Sequence, residues 1–303
     1  MTEGRDDVRR KDRPGDRTSN KYAAKKAASE RLAAERAAQQ RAARNRNILI
    51  VGTSTIAVIA VIVVIVVVGM SQHKGTSSAN AITPAGASIT DVITKAASDT
   101  SATPDFSGIA GPPKSLSGSG LNGSGGHPEV LYVGGEFCPN CAATRWSLAI
   151  ALSRFGTLSN LKQTTSSEGS LATLSFQGSS YTSQYIDAVL KENEGQNHEE
   201  IDKLTSSEQS LFSSVGQNGF PFIDFGGKWA QVGTLLNPND FSGKSHDDVV
   251  KAIGDPNSKL GKEIRAGADV YTAIICETTN NQPSDVCSSQ GVKAAESALH
   301  GGK

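Results

Sequence analysis

Cysteine is scarce in this sequence, with four in 303 residues. Cys138 and Cys141 have two residues between them, and Cys276 and Cys287 have ten. A zinc knuckle needs a second close pair of thiolates, and a ten-residue gap suits one poorly, so no metal is expected. An even count with no cysteine left over fits two disulfides in an oxidising compartment. Net charge is missing too, because 30 Lys and Arg balance 30 Asp and Glu. The balance hides an asymmetry. Residues 1–46 hold 14 basic and 7 acidic residues, a net of +7, which leaves −7 for the remainder. The basic residues sit in a leader rather than on the folded part, which argues against a nucleic-acid binder. There is no internal repeat.

Long apolar runs are also rare. The single one, Ile48 to Met70, reads "ILIVGTSTIAVIAVIVVIVVVGM" and carries no charge. At a rise of about 1.5 Å per residue it is long enough for the hydrocarbon core of a bilayer, roughly 30 Å thick. A cleaved signal peptide has a shorter apolar region, of about 7–15 residues, and the Ala79-Asn80-Ala81 triplet lies far past the run. The reading is an uncleaved single transmembrane helix. Arg36, Arg41, Arg44 and Arg46 crowd its N-terminal side, whereas Lys74 is nearly alone on the other. The positive-inside rule then keeps a basic leader (1–47) in the cytoplasm and places everything beyond the anchor (48–70) outside the cytoplasmic membrane. The Ala-rich stretch 21–46 is either a helix on anionic lipid headgroups or a basic tail that only sets topology.

A polar spacer (71–87) precedes the rest of the chain (88–303). Ile89, Val92, Ile93 and Ala96 follow helical spacing, and the Gly/Pro/Ser-rich stretch up to 128 reads as a loop, so residues 88–128 are expected to form a docked helix plus linker. "EVLYVGGE" (129–136) reads as a strand, and Pro139 opens a helix that Gly156 ends. "NLKQTTSS", "LATLSFQG" and "YTSQYIDAVLKE" read as strands, 205–215 as a capped helix, and 220–233 as a hairpin turning at Gly226-Gly227. Ser245 and Asp255-Pro256 each open a helix, and 288–299 forms the last. The pattern is a small mixed sheet covered by helices.

A Cys-x-x-Cys can be a redox couple, half of a zinc site or a staple. A ring that small constrains little of the unfolded chain, so it is a weak staple. Exchange chemistry needs a thiolate, and a helix N-terminus directs unpaired N–H groups and a positive dipole end at a cysteine placed there. Cys276 and Cys287 flank the polar loop "ETTNNQPSDV" and read as a stabilising disulfide, or as a second redox pair. The stretch "KENEGQNHEEID" around His198 reads as a solvated loop rather than a metal site, Trp146 as core packing, and Arg145 as a surface charge or as a cation close to the thiolate.

Strand, Cys138-Pro139-Asn140-Cys141, helix and a late Pro221 together resemble the thioredoxin superfamily. "EVLYVGGEFCPNCAATRWSLAIALSRFG" and "FQGSSYTSQYI" are more closely similar to a membrane-anchored, thioredoxin-like bacterial and archaeal family known mainly as a domain of unknown function. The resemblance spans roughly residues 88–300. It implies a thioredoxin-like α/β fold in which Cys138 is the exposed nucleophile, Cys141 resolves the mixed disulfide, and a cis Pro221 faces the pair. Phe220 and Phe137 are the implied substrate contacts. No cofactor is implied; the implied partners are exported protein thiols or disulfides and a membrane redox partner. One departure stands out. The buried carboxylate that many thioredoxins carry six residues before the first cysteine is replaced by Tyr132, and the nearest acid is Glu136. The competing class is a non-enzymatic binding or assembly module, which a buried cysteine pair favours over one open to solvent near Pro221.

Overall fold

The computed structural model describes residues 80–99, 106–118, 120, 121, 123 and 125–301. The chain divides into two compact units, Met1–Gly75 and Thr76–Lys303, and the described residues all belong to the second. The leader, the apolar run 48–70 and most of the spacer lie outside the described residues. Among the described residues no helix is long and apolar enough to cross a membrane.

The second unit is a mixed α/β structure. Its strands are β1 (Thr83–Pro84), β2 (Lys114–Ser115), β3 (Glu129–Gly135), β4 (Gly156–Ser159), β5 (Lys162–Thr165), β6 (Ala172–Ser175), β7 (Ser180–Ser183), β8 (Asp187–Glu194), β9 (Phe222–Phe225) and β10 (Trp229–Val232). Its helices are α1 (Ala87–Ser98), α2 (Pro139–Ser153), α3 (Ser206–Ser214), α4 (His246–Gly254), α5 (Lys259–Thr278), α6 (Ser284–Cys287) and α7 (Gln290–Gly301). The main sheet has the order β2-β10-β9-β3-β8, with β3 and β8 parallel and the other pairs antiparallel.

Strand β3 is buried at all seven positions, because helices cover both of its faces. Val130 and Tyr132 point to the larger core with α2 and α5, while Leu131 and Val133 point to a smaller core with Phe212 of α3. The stripe Ile89, Val92, Ile93 and Ala96 of α1 is buried in the larger core, and α1 packs on α2 and α4. Between α2 and β8 the chain supplies β4 to β7, which form two side sheets, β4-β7 and, with β1 from before α1, β1-β5-β6.

Local chemistry moves two boundaries from where the sequence places them. The expected strand through 181–192 is two strands, because the Ser183 hydroxyl accepts the backbone N–H groups of Tyr185 (3.0 Å) and Ile186 (3.3 Å) and bends the chain between β7 and β8. Asp255-Pro256 ends α4 rather than opening α5: the Asp255 N–H caps Lys251 and Ala252, and Ser258 caps α5 through the Gly261 N–H. Thr205 closes a full capping box on α3 with Glu208. Of the two disulfides that the even cysteine count suggests, Cys276–Cys287 is formed, while Cys138 and Cys141 are free thiols.

Candidate functional site

Strand β3 delivers the Cys-x-x-Cys to the first turn of α2. Gly134 is required there because Tyr132, two residues back on the same face, lays its phenol where a Cβ would stand. Cys138 is the N-cap of α2, with extended backbone (φ −82°, ψ 122°), and Pro139 takes the first helical position, where its missing N–H leaves nothing unpaired. The Cys138 Sγ does the work of a capping oxygen, accepting the Cys141 N–H at 3.3 Å. The Cys141 Sγ lies behind it and accepts the Gly135 N–H at 3.4 Å.

Both cysteines are free thiols, and the surroundings push them apart. The hydrogen bond from the Cys141 side chain leads in holding Cys138 below the ordinary thiol value; burial opposes it, and the backbone N–H groups and the Arg145 charge add to it. Cys141 is pushed well above that value, first by burial and then by its hydrogen bond to Cys138. The two thiols thus differ, Cys138 favoured as thiolate and Cys141 as the protonated thiol. Both side chains are buried, so Cys138 is not the exposed cysteine that the resemblance implies: it keeps 5% of its surface and Cys141 none.

Arg145, one turn further along α2, is fully buried rather than a surface charge. Its Nε and Nη2 donate to the two carboxylate oxygens of Glu192 at 2.8 and 2.6 Å, and Nη2 also donates to the Gly135 carbonyl at 2.9 Å. Glu136 Oε2 lies 3.4 Å from the same nitrogen, and Glu136 Oε1 accepts from the Ser175 hydroxyl. Burial works against the charge on Arg145, but Glu192, Tyr132 and Glu136 outweigh it and the guanidinium stays charged. Glu136 is pushed up to about 7, chiefly by burial, with Arg145 pulling it down and Glu192 pushing it further up. Glu192 belongs to the acidic stretch read from sequence as a solvated loop, yet Lys191–Glu194 is the end of β8 and Glu192 stands opposite Gly134 in the parallel register. The strand read at 181–192 already reaches Glu192, but no local signal in the sequence marks its side chain as buried or as the partner of Arg145.

The remaining candidates assemble around the same strand end. Phe222 pairs with Val133, so Pro221, which precedes it, sits at the level of Gly134; the Phe220-Pro221 peptide is cis. Phe137 and Phe220 meet edge to face with ring centroids 5.9 Å apart, and both are half-buried. His198 stacks on Phe137. Trp146 is core, donating its indole N–H to the Ala172 carbonyl at 3.2 Å. Cys276 and Cys287 lie elsewhere. The indole of Trp229 donates to Glu277, next to Cys276, and Trp229 pairs with Phe225, which pairs with Val130 at the start of β3. The disulfide is therefore at the opposite end of β3 from Cys138, several strand steps of about 3.3 Å away. Among the described residues no group of His, Cys, Asp and Glu side chains could hold a metal ion.

Residues 119–277, just over half of the chain, match the family described as a domain of unknown function (DUF929). No curated protein and no solved structure matches the chain.

Proposed function

We propose that this chain, which belongs to the DUF929 family, is a thiol–disulfide oxidoreductase built on a thioredoxin-like arrangement. The observation that carries the reading is the capping sulfur: a free Cys138 at the N-cap of a fifteen-residue helix, held below the ordinary thiol value, with a protonated Cys141 one turn behind it. In the reducing direction the Cys138 thiolate attacks a substrate disulfide, forming one S–S bond as another breaks and releasing a substrate thiolate, which takes up a proton. Cys141 then loses its proton and attacks the Cys138 sulfur, leaving a Cys138–Cys141 disulfide and a second substrate thiol. Two electrons pass to the substrate; the oxidising direction is the reverse.

The sheet order with β3 and β9 at its centre, and Pro221 at the level of Gly134, support the thioredoxin-like assignment. Phe137 and Phe220 offer the half-buried apolar surface on which a substrate strand rests. The arginine flank and the apolar run 48–70 support an anchored domain outside the cytoplasmic membrane, acting on exported proteins and regenerated by a membrane redox partner. The burial of both cysteines favours the second reading, a binding or assembly module that does no exchange.

Trapping separates the two. In membranes carrying the full chain, Cys141→Ala should accumulate mixed disulfides on a non-reducing gel, because the resolving thiol is gone, and Cys138→Ala should accumulate none. Equal trapping by both variants, or by neither, would leave the module.

A further inference from the structure

We propose that Arg145 is the positioning residue of this exchange site, a single buried cation shared between the cysteine pair on one side and Glu136 and Glu192 on the other. The proposal rests on the exchange reading above and deepens it. Its geometry is a chain of contacts. The guanidinium donates to the Gly135 carbonyl at 2.9 Å, and the N–H of that same residue donates to the Cys141 sulfur at 3.4 Å. Fixing Gly135 from below therefore fixes the donor that orients the resolving sulfur, and Cys141 in turn positions Cys138 through its own N–H at 3.3 Å. On its far side the guanidinium is bound through two nitrogens to Glu192, a geometry only Arg offers.

The charge count makes the arrangement more than a brace. Around one buried cation stand Glu192 on β8, Glu136 in the turn after β3, the phenol of Tyr132 and the two cysteine sulfurs. Asp202 stands a step further out, accepting the Glu192 N–H at 3.0 Å. Nearer the surface, Glu168 donates its N–H to the Phe137 carbonyl and His198 covers the Phe137 ring; both side chains are more than half exposed and screened by water. Glu192 holds the cation through the close pair. What remains of its field is divided between Glu136, whose Oε2 accepts no hydrogen bond, and the thiolate. Two anions that draw on one cation oppose each other: ionising Glu136 disfavours the Cys138 thiolate, and a thiolate favours the protonated Glu136. Glu136, pushed up to about 7, thus changes state near neutral pH, and Cys138 is held below the ordinary thiol value beside the same cation.

The test is the pH profile of Cys138 alkylation by iodoacetamide in the reduced full-length chain, read by mass spectrometry, with a thermal unfolding scan of each variant. Arg145→Lys keeps the charge but loses the fork; its profile should move to higher pH, with the thiolate fraction at pH 7 falling about three- to tenfold. Glu136→Gln removes the competing anion and should move the profile to lower pH. A folded Arg145→Lys protein with an unmoved profile would overturn the proposal. If that variant does not fold, Glu136→Gln decides alone, and an unmoved or upward-moving profile overturns it. Alkylation reads the thiolate and not turnover. A chain that passes this test yet traps no mixed disulfide refutes the exchange reading only, and one that traps but shows no shift refutes the role of Arg145 only.

Discussion

The imidazole of His198 stacks on the ring of Phe137 with centroids 3.8 Å apart, while its two nitrogens lie 3.3 Å from Glu194 and 3.6 Å from Glu168. A polar residue from the acidic stretch after β8 thus covers the side chain that immediately precedes Cys138. If Phe137 is a substrate contact, as proposed above, a substrate strand must displace this ring or share it.

Removing the cover and removing the platform should therefore have opposite effects. In the Cys141→Ala background, His198→Ala should trap at least as much mixed disulfide as its parent, and Phe137→Ala several-fold less. Because His198 is exposed, its loss should cost less than about 1 kcal/mol of stability. Quantified non-reducing gels and urea unfolding measure both. Equal losses of trapping would mean that His198 is part of the platform.

Asp224 gives a stability prediction with a defined sign. It is fully buried in β9, and burial pushes its carboxyl up to about 6, partly offset by the Gly227 N–H that one oxygen accepts at 2.9 Å. A raised carboxyl binds its proton more tightly in the folded state than in the unfolded one. Its contribution is fully favourable below the unfolded value near 3.8 and is lost as pH rises towards about 6. Asp224→Asn keeps an acceptor for Gly227 and escapes that loss. It should match the parent at pH 4 and exceed it by about 1–2 kcal/mol above pH 6. A difference that does not change between urea titrations at pH 4 and pH 7 would contradict this.

The Cys276–Cys287 disulfide closes a short loop at the opposite end of β3 from Cys138 and Cys141. Changing both cysteines to Ala should lower stability by about 3 kcal/mol on the chain-entropy account, with trapping by Cys141→Ala unchanged. Lost trapping with unchanged stability would make the bond a redox relay instead.

Helix α1 lies N-terminal to the residues that match the family, yet Ile93 is only 3% exposed and packs into the larger core. Ile93→Ala should cost about 2–4 kcal/mol in urea unfolding, as a buried large-to-small change does. A cost below 1 kcal/mol would show that α1 is an ornament and not part of the folding unit.

What the sequence made legible follows from how local each signal is. The α1 stripe, the Thr205 cap, the Gly226-Gly227 hairpin and the strand–Cys-x-x-Cys–helix unit are written in neighbouring residues, and each is present. The buried charges were not legible. Arg145 and Glu192 are 47 positions apart and meet only because β8 lies parallel to β3. Nothing in an isolated Arg on a helix, or in a Glu among other acids, distinguishes a buried partner from a solvated one. Asp255-Pro256 was misread for the opposite reason: several turn-forming residues crowd into 255–258, and only Ser258 reaches a backbone N–H at the start of α5.

The side sheets carry a consequence for how such a chain can change over generations. Strand β6 supplies the Ser175 hydroxyl to Glu136, the Ala172 carbonyl to Trp146 and the Thr173 hydroxyl to the Ala142 carbonyl, and the Phe176 N–H just beyond it reaches Glu192. The segment between α2 and β8 is therefore the wall that keeps water from the guanidinium. A descendant that deleted it would wet Arg145, and a descendant that lost Arg145 would leave two carboxylates uncompensated behind that wall. That segment and the charge triad should be inherited or discarded together, as one unit.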